Sequence, residues 1–289
     1  MNQRKRSSNL NWIFVTLLAS FLLGACAPMP TTAPDEKLRL YVMDCGTIDV
    51  SDVSVFSPGF NKDQRKILTD SCYLIVHKNG TLLWDTGLPD ALALEPNGKT
   101  IKVFTVKVKK PLLGQLAALG YTPDKINYLG LSHMHFDHVG NANAFANSTV
   151  LMQQEEYDAA FGPTPEKFNF DPATYENLRG SKFVKLRGDY DVFGDGSVMI
   201  KRTIGHTPGH QALFVDLPKT GPILLSGDLV HFTDNWIHKR VPSFNFDQNL
   251  SAQSMTDMEA FLKEKKATLW IQHDLEQNAT LRHAPAYYD

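Results

Sequence analysis

The chain carries at residues 133–138 the sequence His133-Met134-His135-Phe136-Asp137-His138. The short apolar stretch Ile126–Leu131, which predicts a strand, leads directly into it. Side chains two positions apart on an extended strand point to the same side, so we expect His133 and His135 to hold one metal ion together. Asp137 and His138 follow where the chain turns and can face a second ion. The alternative, a solvated histidine-rich loop, is disfavoured because three of the chain's ten histidines fall within these six residues.

Two metal ions need further ligands, and three candidates follow at predicted strand ends. They are His210 in the GHTPGH turn, Asp228 after the apolar stretch ILLSG, and His273 at the exit of the last predicted strand. A carboxylate such as Asp228 can bridge two cations. Taken singly, His273 could be an ordinary satisfied histidine and Asp228 a turn residue. His206 and Asp274 are candidates for orienting the ligands, and a neutral capping role for His206 is equally open.

The donor set also indicates the metal. Imidazoles combined with carboxylates suit two Zn²⁺ ions best, with Fe or Mn possible. Neither Cys45 nor Cys72 belongs to a Cys-x-x-Cys pair, so thiolate ligands are not indicated. A disulfide between these two cysteines and a pair of buried thiols remain equally open.

Strand and helix patterns occur in two runs along residues 38–289. The predicted strands are Leu38–Met43, Ser71–His77, Thr81–Trp84, Ile126–Leu131, Val150–Met152, Phe183–Leu186, Val198–Thr203, Ala212–Leu217, Ile223–Ser226 and Thr268–Ile271. The predicted helices are Leu112–Leu119, Asn141–Asn147, Gln154–Phe161 and Leu250–Lys265. Mixed runs of this kind predict an α/β fold in which two sheets are covered on the outside by helices.

The ordered set His-x-His-x-Asp-His, His, Asp, His resembles the metallo-β-lactamase superfamily. The Asp85-Thr86-Gly87 turn and the stretch His206–His210 match it too, and the likeness extends from about Leu38 to the end. This resemblance implies a four-layer αβ/βα sandwich with two metals at one edge between the sheets. It further implies the following ligands: His133, His135 and His210 for metal 1, Asp137, His138 and His273 for metal 2, and Asp228 as the bridge.

Within that superfamily the chain is most similar to the N-acyl homoserine lactone lactonases, which quench quorum sensing. The similar stretches are Gly130–Gly140, Ser226–His231 and His273–Gln277. Many such lactonases carry a tyrosine, thought to contact the substrate carbonyl, three residues after the bridging aspartate. Here that place holds His231, which could donate a hydrogen bond or act as an acid in catalysis, or could serve only as support.

The resemblance implies a lactone-opening hydrolase in which a metal-bridging hydroxide attacks the substrate carbonyl. Asp137, close to that hydroxide, is the expected proton shuttle to the leaving oxygen. The alternatives on the same site are a glyoxalase II-like thioesterase and a β-lactamase. A thioesterase acting on glutathione conjugates would want a basic patch, for which Lys239-Arg240 is the available doublet. A binding protein without turnover is disfavoured because all seven expected ligand positions are present.

The N-terminus has the features of an export signal. Residues 4–6 are basic, and the apolar stretch Trp12–Ala25 would span only ~21 Å as a helix, less than the ~30 Å of a bilayer core. The sequence Leu22-Leu23-Gly24-Ala25-Cys26 resembles a bacterial lipobox. We therefore expect residues 1–25 to be a signal peptide, Cys26 to be lipidated, and residues 26–37 to be a flexible tether. An ordinary signal peptide with an incidental Cys26 is the alternative.

These features predict an exported, periplasmic protein that is lipid-anchored to a bacterial membrane, with one hydrolase domain over residues 38–289. The formal net charge is −2, and no cluster of Lys and Arg interleaved with aromatic residues occurs. Nucleic acid is therefore not an expected partner. A small acyl lactone is the expected substrate, and seven aromatic residues in predicted loops could form its groove, a packed core or a dimer contact: Phe161, Phe168, Phe170, Phe232, Trp236, Phe244 and Phe246.

Overall fold

Two β-sheets form the centre of the molecule in the computed structural model, which describes Met1 and residues 38–289. The predicted signal peptide, Cys26 and the tether lie outside the described residues. None of the helices in the described part of the chain combines the length and the apolar character that crossing a membrane requires.

The first sheet has eight strands in the order β4-β5-β1-β2-β3-β6-β7-β8. Its strands are β1 (Arg39–Val50), β2 (Lys66–His77), β3 (Gly80–Trp84), β4 (Lys99–Ile101), β5 (Phe104–Lys107), β6 (Tyr128–Gly130), β7 (Thr149–Gln153) and β8 (Lys182–Leu186). Strands β1, β2 and β3 pair in antiparallel fashion, whereas β3, β6, β7 and β8 run parallel. The carboxyl ends of β3 and β6 therefore meet at the same edge.

The second sheet has five strands in the order β13-β12-β11-β10-β9. Its strands are β9 (Tyr190–Asp191), β10 (Val198–Arg202), β11 (Gln211–Leu217), β12 (Gly221–Leu225) and β13 (Thr268–Trp270). Because β12 and β13 are parallel, their carboxyl ends also lie together. The turn between β10 and β11 opens at this same end, since β11 runs antiparallel to β12.

Helices cover the outer faces of both sheets. The described residues contain the α-helices α1 (Leu112–Ala118), α2 (Gln154–Phe161), α3 (Thr233–Ile237), α4 (Gln248–Lys265) and α5 (Leu275–Asn278), of which α1, α2 and α4 pack on these faces. Helix α4 begins at Asp247, whose carboxylate accepts hydrogen bonds from the backbone N–H groups of Asn249 and Leu250. The helix ends at Lys266, which adopts a left-handed conformation.

Three apolar clusters separate these layers. Residues such as Leu40, Trp84 and Leu213 from both sheets pack against each other in the middle. Leu116 of α1 packs on the outer face of the first sheet, and Met255 of α4 on that of the second. The order of layers is thus helix, sheet, sheet, helix, which confirms the predicted four-layer sandwich. The stretch Cys72–Val76 of β2 is continuously apolar and buried, as expected where both faces of a strand are covered.

All predicted strands and three of the four predicted helices are present, with differences in their bounds. Helix α2 has the predicted limits, whereas β1 extends to Val50, seven residues beyond the end of the predicted strand Leu38–Met43. The predicted helix over Asn141–Asn147 is only a short 3₁₀ turn at Ala142–Phe145. The pair β4 and β5 was not predicted. Cys45 and Cys72 form a disulfide between β1 and β2, with a Cα–Cα distance of 5.8 Å.

Candidate metal centre

Six of the seven predicted ligands meet where the carboxyl ends of β6, β12 and β13 converge. The segment after β6 carries His133, His135, Asp137 and His138, the segment after β12 carries Asp228, and the segment after β13 carries His273. The turn between β10 and β11 closes the centre from the side. Short apolar strands thus end here, and polar side chains follow each of them directly.

The first group of donor atoms belongs to His133, His135, His206 and Asp228. The Nδ1 atom of His135 lies 2.9 Å from Nε2 of His133 and 3.0 Å from Nε2 of His206. The Oδ2 atom of Asp228 lies 3.2 Å from Nε2 of His206 and 3.8 Å from Nε2 of His133. Three imidazole nitrogens and one carboxylate oxygen therefore lie close enough together to hold one metal ion.

The second group belongs to Asp137, His138 and His273. The two histidine Nε2 atoms lie 3.3 Å apart, and each is 3.9 Å from an oxygen of Asp137. The Oδ1 atom of Asp228 completes this group, at 3.2 Å from Nε2 of His138 and 2.9 Å from Nε2 of His273. Asp228 therefore presents one oxygen to each group, which is the arrangement of a bridging carboxylate.

Hydrogen bonds at the far side of the rings leave the inward nitrogens of the first group available as ligands. The Nδ1–H of His133 donates to the Ser132 hydroxyl at 3.1 Å, whose own proton goes to Asp85. The Nε2–H of His135 donates to the Phe168 carbonyl at 3.0 Å. The Nδ1 of His206 lies 2.9 Å from the side-chain oxygen of Asn245. Since these oxygens accept the ring protons, lone pairs face inward.

The same arrangement holds for the second group. Nδ1 of His138 donates to Asp85 at 2.9 Å, and Nδ1 of His273 donates to the Thr69 carbonyl at 2.8 Å. In addition, the buried Oδ1 of Asp228 has no hydrogen-bond partner of acceptable geometry. Imidazole nitrogens and carboxylate oxygens that crowd together in a buried site are electrostatically unfavourable unless cations lie between them. The residues present therefore fit a dinuclear metal centre.

The Asp85-Thr86-Gly87 turn holds the second group in place. Asp85 accepts from the backbone N–H and the hydroxyl of Ser132 at 2.6 and 2.8 Å, and from the side-chain amide of Gln272 at 2.8 Å. Gly87 has a φ of +62°, and a Cβ there would lie 2.3 Å from Cβ of Cys45. The turn thus needs glycine both for its conformation and for its close approach to the disulfide.

Burial and the carboxylates shift the histidine pKa values in opposite directions. Burial lowers the pKa of both His133 and His135 well below the usual range. Burial alone would also lower the pKa of His273, but Asp228 outweighs it and raises this pKa to about 9. Because a metal ligand must be deprotonated, metal binding would have to displace the proton that this raised pKa favours on His273.

His210 is not part of either group, which corrects the prediction that it holds metal 1. Its Nδ1 donates to the Thr203 carbonyl at 2.9 Å, and its Nε2 accepts from the backbone N–H of Asp228 at 2.8 Å. Burial lowers the pKa of His210 to about 3, in keeping with a neutral ring. His206 takes the expected place instead.

The backbone of the turn explains why His206, and not His210, lies in the first group. His210 directly precedes β11, and its carbonyl already pairs with the N–H of Thr203 across the turn. His206 stands at the apex of the turn and reaches farther into the centre. The position of His210 at the edge of a predicted strand was the sequence signal that distinguished it from His206.

His231 lies beside the centre, with its Nε2 3.0 Å from Oδ2 of Asp228. Its ring packs on Phe56 at a centroid distance of 4.4 Å. Burial lowers the pKa of His231 to about 4, so the ring is neutral at physiological pH. Asp274, expected to orient ligands, instead accepts from the N–H and hydroxyl of Thr233 and caps α5.

A cavity of about 580 Å³ opens directly onto both groups of donors. Asp137, His135, His206, Asp228, His231 and His273 lie at its base. Its walls are mainly apolar and include Ile48, Phe56, Phe104, Phe136, Phe170 and Phe244. Of the seven aromatic residues proposed from the sequence, only Phe170 and Phe244 line it. Phe161, in contrast, packs against Tyr157 and Tyr175.

Comparisons with known proteins agree with this geometry. The family profile described as "Metallo-beta-lactamase superfamily" matches residues 68–269. An N-acyl homoserine lactonase AttM from Rhizobium radiobacter is 30% identical, over 87% of this chain and 98% of that protein. An N-acyl homoserine lactonase from a Bacillus species is 31% identical, over 86% of this chain and 98% of its own length.

A similar solved structure is that of an N-acyl homoserine lactone hydrolase with the product N-hexanoyl-L-homoserine bound at its catalytic metal center. It is 29% identical, has a TM-score of 0.75, and covers 87% of this chain and 99% of its own. The match therefore extends over most of this chain and nearly all of that one.

Proposed function

The chain belongs to the metallo-β-lactamase superfamily, and we propose that it is a metal-dependent hydrolase that opens the ring of N-acyl homoserine lactones. The observation that carries this proposal is the position of Asp228. One of its oxygens faces three histidines and the other faces a second group, at the base of a largely apolar cavity. Relatives that match over nearly their whole length are named for this activity.

The donor atoms favour zinc. His133, His135, His206 and Asp228 would give one ion three nitrogens and an oxygen. Asp137, His138, His273 and Asp228 would give the other ion two nitrogens and two oxygens. Four donors of this kind suit tetrahedral Zn²⁺, while Fe and Mn remain alternatives.

The protein's own residues define the path of the reaction. When bound, two divalent ions activate a water molecule and polarise the substrate carbonyl. Asp137 borders both the centre and the cavity, so its carboxylate would take the proton of the attacking water and deliver it to the departing ring oxygen. The carbonyl carbon gains an oxygen, the ring C–O bond breaks, and the product is the ring-opened N-acyl homoserine.

His231 would act at the Asp228 side of the cavity. Its neutral ring lies against Asp228 and packs on Phe56. It would therefore keep the Asp228 carboxylate in a fixed position relative to the substrate carbonyl. The apolar walls of the cavity suit an acyl chain. Phe56, Phe104 and Phe136 stand close enough to the centre for a chain to extend along them.

The rival substrates find less support. The Lys239-Arg240 doublet, which a glutathione thioester would favour, does not border the cavity. Lys239 pairs with Glu259 and Arg240 with Asp234. A thioesterase or a β-lactamase remains the alternative on chemical grounds, because the same activated water would attack either substrate.

We further propose that the protein is exported and lipid-anchored at Cys26. The support is the lipobox-like sequence Leu22–Cys26 together with the Cys45–Cys72 disulfide, a bond favoured in oxidising compartments. Replacing Cys26 with Ser should move the protein from the membrane fraction to the soluble fraction. Unchanged membrane association of the Cys26→Ser variant would refute the anchor.

Metal dependence tests the proposed activity. The full chain is stripped with a chelator, reloaded with Zn²⁺, and offered N-hexanoyl homoserine lactone, with mass spectrometry following the addition of one water. We expect activity to return as two equivalents of metal bind. Hydrolysis that is equally fast in the stripped protein would refute the proposal.

A further inference from the structure

Glu156 is a buried carboxylate close to the metal centre that supplies no ligand. It belongs to helix α2, which packs on the first sheet, and it is only 1% exposed. Its Oε1 accepts a hydrogen bond from the backbone N–H of Met134 at 2.9 Å. Its Oε2 accepts from the hydroxyl of Thr207 and from the backbone N–H of Gly209, both at 2.8 Å.

These three donors lie next to the ligands of the first group. Met134 stands between His133 and His135, on the segment that follows β6 of the first sheet. Thr207 directly follows His206, on the turn between β10 and β11 of the second sheet. One carboxylate therefore ties together two chain segments that belong to different sheets and that carry all three histidines of the first group.

The turn between β10 and β11 packs tightly against helix α2 at Gly209. A Cβ on Gly209 would lie 2.4 Å from the backbone nitrogen of Glu156 and 2.6 Å from its Cβ. A side chain at position 209 would thus push the turn away from the helix. Glycine at this position and a carboxylate at 156 together fix the distance between the two segments.

A carboxylate suits this place because it only accepts hydrogen bonds. A glutamine of the same size would keep one acceptor oxygen but would turn its NH₂ group toward a backbone N–H, either that of Met134 or that of Gly209. One buried N–H would then be opposed by another donor, and the two segments would separate.

We propose that Glu156 is a positioning residue. It holds His206 close to His133 and His135, so that the first group binds its metal ion tightly. The inference rests on the proposed dinuclear site. It concerns the first group alone, since the second group of Asp137, His138 and His273 makes no hydrogen bond to Glu156. Loss of a residue that orients ligands costs about 10- to 100-fold in metal affinity.

The test compares Glu156→Gln with Glu155→Gln in the full chain. Glu155 is the neighbouring residue of the same helix, and its carboxylate pairs with Arg202 at the surface. The metal content after dialysis, together with competition by a chelator, gives the affinity for each metal equivalent. The visible spectrum of the Co²⁺-substituted protein reports on the geometry of each site. Thr207→Val, which removes one of the three donors without a change of charge, is the milder variant.

We expect Glu156→Gln to bind one equivalent about 10- to 100-fold more weakly than the wild type and the other equivalent unchanged. Thr207→Val should shift the same equivalent by a smaller factor, and Glu155→Gln should shift neither. Two equivalents at wild-type affinity in Glu156→Gln, or an equal loss of both, would overturn the inference. If Glu156→Gln fails to fold, the Thr207→Val result decides by the same criterion. Failure of the wild type to bind two equivalents would instead refute the proposed function.

Discussion

The ring of His210 accepts a hydrogen bond from the backbone N–H of Asp228, at a distance of 2.8 Å. His210 therefore supports the bridging carboxylate through the main chain and does not face the metals. The Cβ of an alanine at Gly227 would lie 2.7 Å from Nε2 of His210, so the chain approaches this ring closely. The two histidines of the GHTPGH turn thus have different roles: His206 supplies a donor atom to the first group, and His210 supports the backbone of Asp228.

Replacing His206 and His210 separately should distinguish these tasks. His206→Ala removes a donor of the first group, so we expect it to lose one metal equivalent and most of its activity. His210→Ala leaves the buried N–H of Asp228 unpaired, which should lower the free energy of unfolding by about 1–3 kcal/mol. Metal content and denaturant unfolding measure the two effects. Selective loss of a metal in His210→Ala but not in His206→Ala would contradict this assignment.

Asp137→Asn should abolish turnover. The amide cannot take up the proton of the attacking water, and removal of a general acid–base group costs about 10²- to 10⁴-fold in rate. The measurement is kcat on an acyl homoserine lactone in zinc-loaded protein. Asp158→Asn on the exposed face of α2, where the carboxylate accepts a hydrogen bond from the side-chain amide of Gln154, is the control. Full activity in Asp137→Asn would exclude the proposed proton transfer.

His231→Phe should reduce kcat without loss of metal. Phenylalanine retains the packing against Phe56 but cannot reproduce the 3.0 Å contact to Asp228. We expect a fall of about 10- to 100-fold in kcat, as for other residues that orient metal ligands. His238→Phe, at an exposed position 4.0 Å from Asp234, provides the matched control. Equal kcat values in both variants would mean that His231 only fills space.

His273 should make the metal-free protein less stable as the pH rises. Burial lowers and Asp228 raises the pKa of His273, to about 9 in the folded chain against 6.5 when unfolded. Its stabilising contribution is therefore complete below pH 6.5 and is lost as the pH rises through about 9. The difference in unfolding free energy between wild type and His273→Gln, both metal-free, measures it. A difference that grows over this range would be inconsistent with the proton on His273.

Much of the fold follows from local patterns in the sequence. Helix α2 and strand β7 are marked by an abrupt change of periodicity, and the hairpin of β2 and β3 by a short polar turn between apolar runs. Strands β4 and β5 were missed because they have only three and four residues, too few for a clear pattern, and those of β4 are all exposed. Their place in the sheet depends on pairing with β1, a contact between distant parts of the chain.

The sequence predicts those metal ligands that come directly after apolar strands. His133, His135, Asp137 and His138 share one segment, and Asp228 and His273 each end a strand, so their meeting follows from the sandwich. The choice between His206 and His210 depends on how far the turn reaches. Glu156 escaped notice because a glutamate in a short helix ordinarily faces solvent. Its role appears only when two sheets bring its three donors together.

The most direct test of the central claim is a pH-stat comparison of substrates. The zinc-loaded full chain is given an N-acyl homoserine lactone, a simple lactone, a thioester and a β-lactam, and kcat/KM is measured for each. We expect the highest kcat/KM for the acyl homoserine lactone, and loss of that activity when the metal is removed. A higher kcat/KM for the thioester or the β-lactam would contradict the proposed substrate.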